Sequence, residues 1–381
     1  MRYRIISMKK DKFLFTPGPL TTSKTVKEAM LCDLGSRDFK FIQTVQHVRN
    51  KLLDIGEVSP EQGYETIIMQ GSGTFGIESV VSSVVSAGDH LLIVINGVYG
   101  ERIAKMAAVY GIRHTKLVFD ENEIPSIDKI ESALDDDRSI THLAVIHCET
   151  TTGIINPIEA IGKICVTKSV TYIVDAMSSF GAVPVNVAYS NIDFLISSSN
   201  KCIEGVPGFS FIIARKESLL RCEGNARTLS LDLYAQWKEL ETVGQFRFTP
   251  PTHSILAFAQ ALAELDEEGG VEGRSKRYRS NNQVLMVGMN KLGFKEYLED
   301  NKRGYIITCF HYPNHPNFDF KKFYELLNEK DFVIYPGKLS KVNSFRIGNI
   351  GRITTTDIHN LLNAIEATLA EMNVQLKVPL D

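Results

Sequence analysis

Asp193-Phe194-Leu195-Ile196-Ser197-Ser198-Ser199-Asn200-Lys201 is the stretch on which the fold turns. An apolar run of strand length gives way to small polar residues and then a lysine. Upstream, Tyr172-Ile173-Val174-Asp175 is a second apolar run, closed by an acid 26 positions before that lysine. Runs this short and this uniformly apolar read as strands buried on both faces, as in a parallel sheet. In an open α/β sheet, ligands sit beyond the carboxyl ends of the strands. Asp175 and Lys201 are therefore expected in the same crevice.

Outward from this pair, residues 64–214 alternate short apolar runs with helical patterns. Strands are expected at 66–70, 91–95, 142–147, 171–174, 193–197 and 209–213. Helices are expected at 74–86, 101–110, 127–134 and 158–168. This order predicts an α/β fold, a mostly parallel sheet with helices on both faces. A helical pattern over 254–268 stops at Gly269-Gly270, a good helix terminator. Beyond it, strands at 305–310 and 332–335 and helices at 320–329 and 356–371 predict a smaller α+β domain. The expected division is an N-terminal arm at 1–20, a large domain at 21–270 and a small C-terminal domain at 271–381.

The 381 residues suffice for more than one domain, and a net charge of −3 suggests neither nucleic acid nor an anionic membrane as a partner. Apolar runs stay well short of the roughly 20 residues needed to span a bilayer. Residues 1–10 lack the apolar core of a signal peptide. The six cysteines are scattered and form no CxxC, which fits reduced thiols and a cytoplasmic location. No metal is expected, because His142, His147 and Cys148 lack zinc-ligand spacing.

Gly71-Ser72-Gly73-Thr74-Phe75-Gly76 follows a strand and opens a helix. Free backbone N–H groups and the helix dipole make such a turn an anion site. A dinucleotide reading needs an acid at the end of the next strand. That strand ends Ile95-Asn96-Gly97, so a single terminal phosphate on Ser72, Gly73 and Thr74 fits better. Taken alone, Asp175 reads as a cap and Lys201 as a solvated lysine. Together, after a phosphate-type turn, they suit pyridoxal 5'-phosphate: the amine forms a Schiff base with the aldehyde and the acid pairs with the ring nitrogen. Past other strands lie Tyr99, an aromatic for the ring face or a packed loop residue, and Thr150, a hydroxyl for the ring edge or a polar turn. Arg346, in Phe345-Arg346-Ile347-Gly348, is costly among apolar neighbours unless paired. It reads either as half of a salt bridge or as a fork for a substrate anion. The 246–253 segment reads as a loop before a helix.

These pieces resemble the class V aminotransferase group of fold-type I pyridoxal phosphate enzymes. The likeness runs from Leu14-Phe15-Thr16-Pro17-Gly18-Pro19 through Met177-Ser178-Ser179-Phe180-Gly181 to the Arg346 segment, and its details resemble the 2-aminoethylphosphonate–pyruvate transaminase branch. The resemblance implies a mostly parallel seven-stranded sheet and a homodimer with its active sites at the subunit interface. Lys201 would hold the cofactor and Asp175 its ring nitrogen. Asn200 would precede the lysine where glyoxylate-using relatives carry Gln, and Tyr99 would stand where they carry Trp. Thr249 and Thr252 would reach the phosphate in the other subunit, and Arg346 would bind the substrate anion. The implied reaction moves the amino group of 2-aminoethylphosphonate to pyruvate, and Ser23 or the backbone of 17–19 would add donors for the phosphonate. Two rivals use the same cofactor: an alanine or serine transaminase using glyoxylate or pyruvate, and a lyase or desulfurase. The latter needs a nucleophilic cysteine, for which Cys222 fits less poorly than Cys202 or Cys309.

Overall fold

The computed structural model describes residues 11–376. Residues 1–10, the first half of the expected arm and the stretch expected to lack a signal peptide, lie outside the described residues. The central sheet has seven strands in the order Tyr64–Gln70, Phe209–Arg215, Phe194–Ser198, Thr171–Asp175, His142–Ile146, Leu91–Ile95, His114–Val118. Phe209–Arg215 runs antiparallel to both neighbours, and the other pairings are parallel. The expected strand positions hold to within a few residues. His114–Val118 has no counterpart among them because it is an edge strand, with Thr115, Lys116 and Val118 exposed, so it lacks an apolar signature.

Helices cover the sheet. Phe39–Ile55 presents Phe41, Val45, Val48 and Leu52 to the core and is capped by Asp38, which accepts from Lys40 N–H. Its apolar residues recur at helical spacing, so this helix was legible in the sequence. Thr252–Glu267 ends where expected, but a 22-residue helix, Gly270–Lys291, starts at once. Its sequence is too polar to display one clear apolar stripe. The C-terminal part adds a three-stranded antiparallel sheet, Ile307–His311, Ser344–Gly348, Tyr335–Pro336, packed on Phe320–Glu329 and Thr355–Glu371. Among the described residues no helix is long and apolar enough to cross a membrane.

Among the described residues, buried apolar side chains form three clusters. The largest spans Val26 to Leu265; the second joins Phe15 to residues between Leu285 and Val374. The third is small, with Leu20, Cys202, Tyr278, Tyr305 and Ile350, and lies beside the Lys201 loop. The segment expected as an irregular arm is partly ordered by these contacts. Phe13–Leu14 pairs in parallel with Phe332–Val333, and Phe15 is fully buried. This pairing carries Pro17 and Gly18 over Lys201.

Candidate active site

Asp175 lies at the carboxyl end of its strand, in register with Ile196 of the next. The chain leaves that second strand at Ser198 and reaches Lys201 three residues on. The acid and the amine therefore meet at one end of the sheet, as expected. Asp175 is 2% exposed, and Met177 N–H donates to its Oδ1 at 2.9 Å. It has no salt-bridge partner among the described residues. Burial, which penalises the charged form, pushes its pKa up to about 7; Glu149 adds to this, while Arg102 and Lys201 oppose it. Lys201 Nζ donates to Pro17 O at 2.7 Å, and burial lowers its pKa. Gly18 sits at φ +124°, where L side chains are strained, and a Cβ there would lie 2.5 Å from Nζ and 3.0 Å from Asn200 O.

The backbone around Lys201 is clamped from the Gly270–Lys291 helix. Arg274, 0% exposed, donates to Cys202 O and pairs with Glu268 at 2.6 Å and Glu204 at 3.5 Å. Arg277 pairs with Glu204 and Glu268 at 2.7 and 2.6 Å and also donates to Gly351 O. Burial works against the Glu268 carboxylate, but Arg277 and Arg274 still hold its pKa down to about 2. Glu204 N–H closes the turn on Lys201 O at 2.8 Å.

The glycine-rich turn lies beside this pair. Gly71 (φ +104°) donates to Gly208 O at 3.0 Å and leads into the Gly73–Val84 helix. Ser72 is its N-cap but makes no side-chain cap bond. The N–H groups of Gly73 and Thr74, in the first helical turn, have no intrahelical acceptor. A Cβ on Gly73 would lie 2.2 Å from Met177 Sδ, two residues past Asp175, so the turn and the acid pack together. Arg102 Nη1 donates to Thr74 Oγ1 at 3.3 Å, and its guanidinium lies 4.8 Å from the Tyr99 ring centroid.

Tyr99 stands in the first turn of Val98–Val109. Buried Glu149 supports that turn: it accepts from Thr151 N and Oγ1 at 3.0 and 2.6 Å. A Cβ on Gly97 would lie 2.4 Å from Glu149 Cδ. Burial raises the Tyr99 pKa, but the Thr150 hydroxyl and the cations Lys338, Arg346 and Lys201 outweigh it and bring the phenol below its usual range. Arg346 is 1% exposed; Nη1 donates to Thr150 O at 2.7 Å and Nε to Pro336 O at 3.1 Å. Among the described residues it has no carboxylate partner.

Other expected residues lie at the margin. Asn200 Oδ1 accepts from Ser198 Oγ at 3.1 Å. Thr249 is exposed and Thr252 begins its helix; neither bonds Ser72, Gly73 or Thr74 within the chain. Gln70 Nε2 donates to Phe248 O at 3.0 Å, which tethers this segment beside the glycine-rich turn. Ser23 caps Lys24–Glu28 and donates to Glu264 at 2.7 Å, so its hydroxyl is committed elsewhere. Cys222 is buried, and burial pushes its thiol to about 12, which suits no nucleophile. No group of three metal-ligating side chains occurs among the described residues. Arg102, Glu149 and Lys338 escaped the sequence reading. Arg102 stands one helical turn after Tyr99 and was legible; the other two act through long-range contacts.

The class-V aminotransferase family model matches residues 28–345. Two 2-aminoethylphosphonate–pyruvate transaminases, from Salmonella paratyphi C and Salmonella choleraesuis, are each 48% identical over 94% of this chain and 98% of their own. An alanine–glyoxylate aminotransferase from Nostoc sp. superposes with a TM-score of 0.89 at 25% identity, over 97% of this chain and 98% of its own. A ureidoglycine–glyoxylate aminotransferase from Bacillus subtilis, at 23% identity and TM-score 0.88 over 97% and 95%, shares the fold. With sequence and architecture in agreement along nearly its whole length, the chain belongs to the class-V aminotransferases, a family of pyridoxal phosphate enzymes.

Proposed function

We propose that this protein transfers the amino group of 2-aminoethylphosphonate to pyruvate, giving phosphonoacetaldehyde and L-alanine. The observation that carries the substrate choice is the 48% identity, over 94% of the chain, to transaminases named for that pair. The glyoxylate-using alternative rests on a relative only 25% identical.

The residues fit pyridoxal 5'-phosphate. Asp175, a buried carboxylate with no cation bonded to it among the described residues, would receive the ring N–H. Ser72, Gly73 and Thr74 would hold the phosphate, with Arg102 adding charge beside Thr74. Tyr99 and Thr150 would border the ring, and Asn200 would lie at the edge of the phosphate site. When bound, the cofactor supplies a reactive aldehyde and an electron-withdrawing ring. Burial favours the neutral amine of Lys201, so Nζ can attack and later take the proton from the substrate carbon that bears nitrogen. Arg346 offers its remaining N–H groups to the substrate anion. One fork can serve both half-reactions, because the phosphonate and the pyruvate carboxylate are both anionic.

A homodimer is part of this reading. Phe75 beside the glycine-rich turn and Phe248 beside Thr249 are 51% and 44% exposed, which suits coverage by a second copy. Thr249 and Thr252 would then complete the partner's phosphate site. The two large apolar clusters support domains at 21–270 and 271–381, with residues 1–20 as the arm. Six free cysteines support a cytoplasmic location.

Nitrogen-15-labelled 2-aminoethylphosphonate tests the reaction directly. Incubated with unlabelled pyruvate and the holoenzyme, it is expected to yield nitrogen-15 alanine. Labelled alanine formed only from other amino donors overturns the substrate assignment.

A further inference from the structure

We propose that Lys338 selects a phosphonate over a carboxylate, by placing a second positive charge beside Arg346 at the mouth of the site. This deepens the functional reading above and rests on it.

Lys338 Nζ lies 5.3 Å from the Tyr99 ring centroid. Arg346 Nη1 donates to Thr150 O at 2.7 Å, and Thr150 and Arg346 both act to lower the pKa of the same Tyr99 phenol. The second link is backbone. Arg346 Nε donates to Pro336 O, and Lys338 follows two residues later. Between them Gly337 turns the chain, with its N–H on Ser344 O at 2.9 Å; a Cβ there would lie 2.3 Å from that oxygen. The two cations are thus tied to one short stretch of chain.

The loop beyond is fastened across the cleft. Ser340 N and Oγ both donate to Glu121 Oε2 at 3.1 Å, and Lys341 Nζ meets Asp120 at 2.9 Å. The nearby acids are therefore engaged by Ser340 and Lys341. Lys338 is exposed and makes no salt bridge or hydrogen bond among the described residues. Lys338 lies over Tyr99, and both Lys338 and Arg346 act on its phenol as cations, a like-charge arrangement that an incoming anion relieves.

A carboxylate carries one charge, and a single guanidinium fork satisfies it. A phosphonate resembles a phosphate monoester, with about −1.5 to −2 charges and three acceptor oxygens at neutral pH. The third oxygen and the extra charge need a second cation. A lysine suits that role: a point charge on a flexible stem that can follow the anion.

The test uses two ligands of one skeleton that lack the amine, 2-hydroxyethylphosphonate and 3-hydroxypropionate. Their inhibition constants are measured on the holoenzyme for wild type, Lys338→Met and Lys338→Arg. In Lys338→Met the preference for the phosphonate is expected to fall about tenfold, a change of about 1.4 kcal/mol. Lys338→Arg keeps most of it. An unchanged preference in Lys338→Met, including equal weakening of both ligands, overturns the assignment. The functional reading is tested separately by wild-type turnover of 2-aminoethylphosphonate. If that fails, the inhibition ratio still decides whether Lys338 reads anion charge.

Discussion

Two sets of buried or half-buried charges lie near the Lys201 turn, and they are finished differently. In one, Arg274, Arg277, Glu204 and Glu268 form a closed cluster in which each charge has an opposite within 3.5 Å. In the other, Asp175 and Arg346 are 2% and 1% exposed, yet among the described residues neither has an opposite charge bonded to it. Burying a charge is costly unless it is paired. The closed cluster meets that requirement internally and serves to hold the lysine turn. The open pair leaves it unmet, one charge calling for a cation and the other for an anion. A pyridinium and a substrate anion are the two groups that answer.

Substitutions can break this contrast in graded steps. Lys201→Ala stands between the two sets and has the largest effect. Turnover is expected to drop by about 10⁴-fold or more, since both a nucleophile and a proton carrier are lost; visible absorption and amino-transfer assays read it. Next comes Arg274→Ala, which strands Glu268 and Glu204. Removing one partner of a buried pair costs about 3–5 kcal/mol, so the urea midpoint should fall clearly. Arg346→Met should do the reverse: stability held or raised, and kcat/KM lowered about 100-fold for both substrates, or about 2.7 kcal/mol. Equal stability losses in the two arginine variants would erase the distinction between closed and open charges.

The smallest effect concerns pH. In cofactor-free protein the folded-state pKa of Asp175 is about 7, against an ordinary 3.8. Between about pH 4 and 7 the folded state then keeps a proton that the unfolded chain has released. Stability should therefore fall as pH rises through that window, and Asp175→Asn should lack this drop. Denaturation midpoints near pH 5 and pH 7.5, for both proteins, check the sign. Added cofactor should reduce the drop by giving the carboxylate a cationic partner.

Much of the floor of the site was legible in the sequence because strands and turns deliver it locally. Asp175 ends an apolar run, Lys201 follows one, and Gly71 to Gly76 links a strand to a helix. The walls were harder to read. Glu149 matters through the glycine turn it supports 52 residues earlier, at Gly97. Lys338 matters through Tyr99, and Arg274 through a carbonyl at Cys202. Contacts between distant segments leave no periodic trace. The polar edge strand and the polar Gly270–Lys291 helix were missed for a related reason: tertiary packing, not a clear apolar pattern, sustains them.

The most direct measurement is a single half-reaction. Holoenzyme is mixed with 2-aminoethylphosphonate in the absence of pyruvate, and released phosphonoacetaldehyde is counted per active site. About one equivalent is expected by the half-reaction stoichiometry, followed by alanine when pyruvate is added. No phosphonoacetaldehyde, with alanine or serine instead discharging the enzyme, would contradict the account.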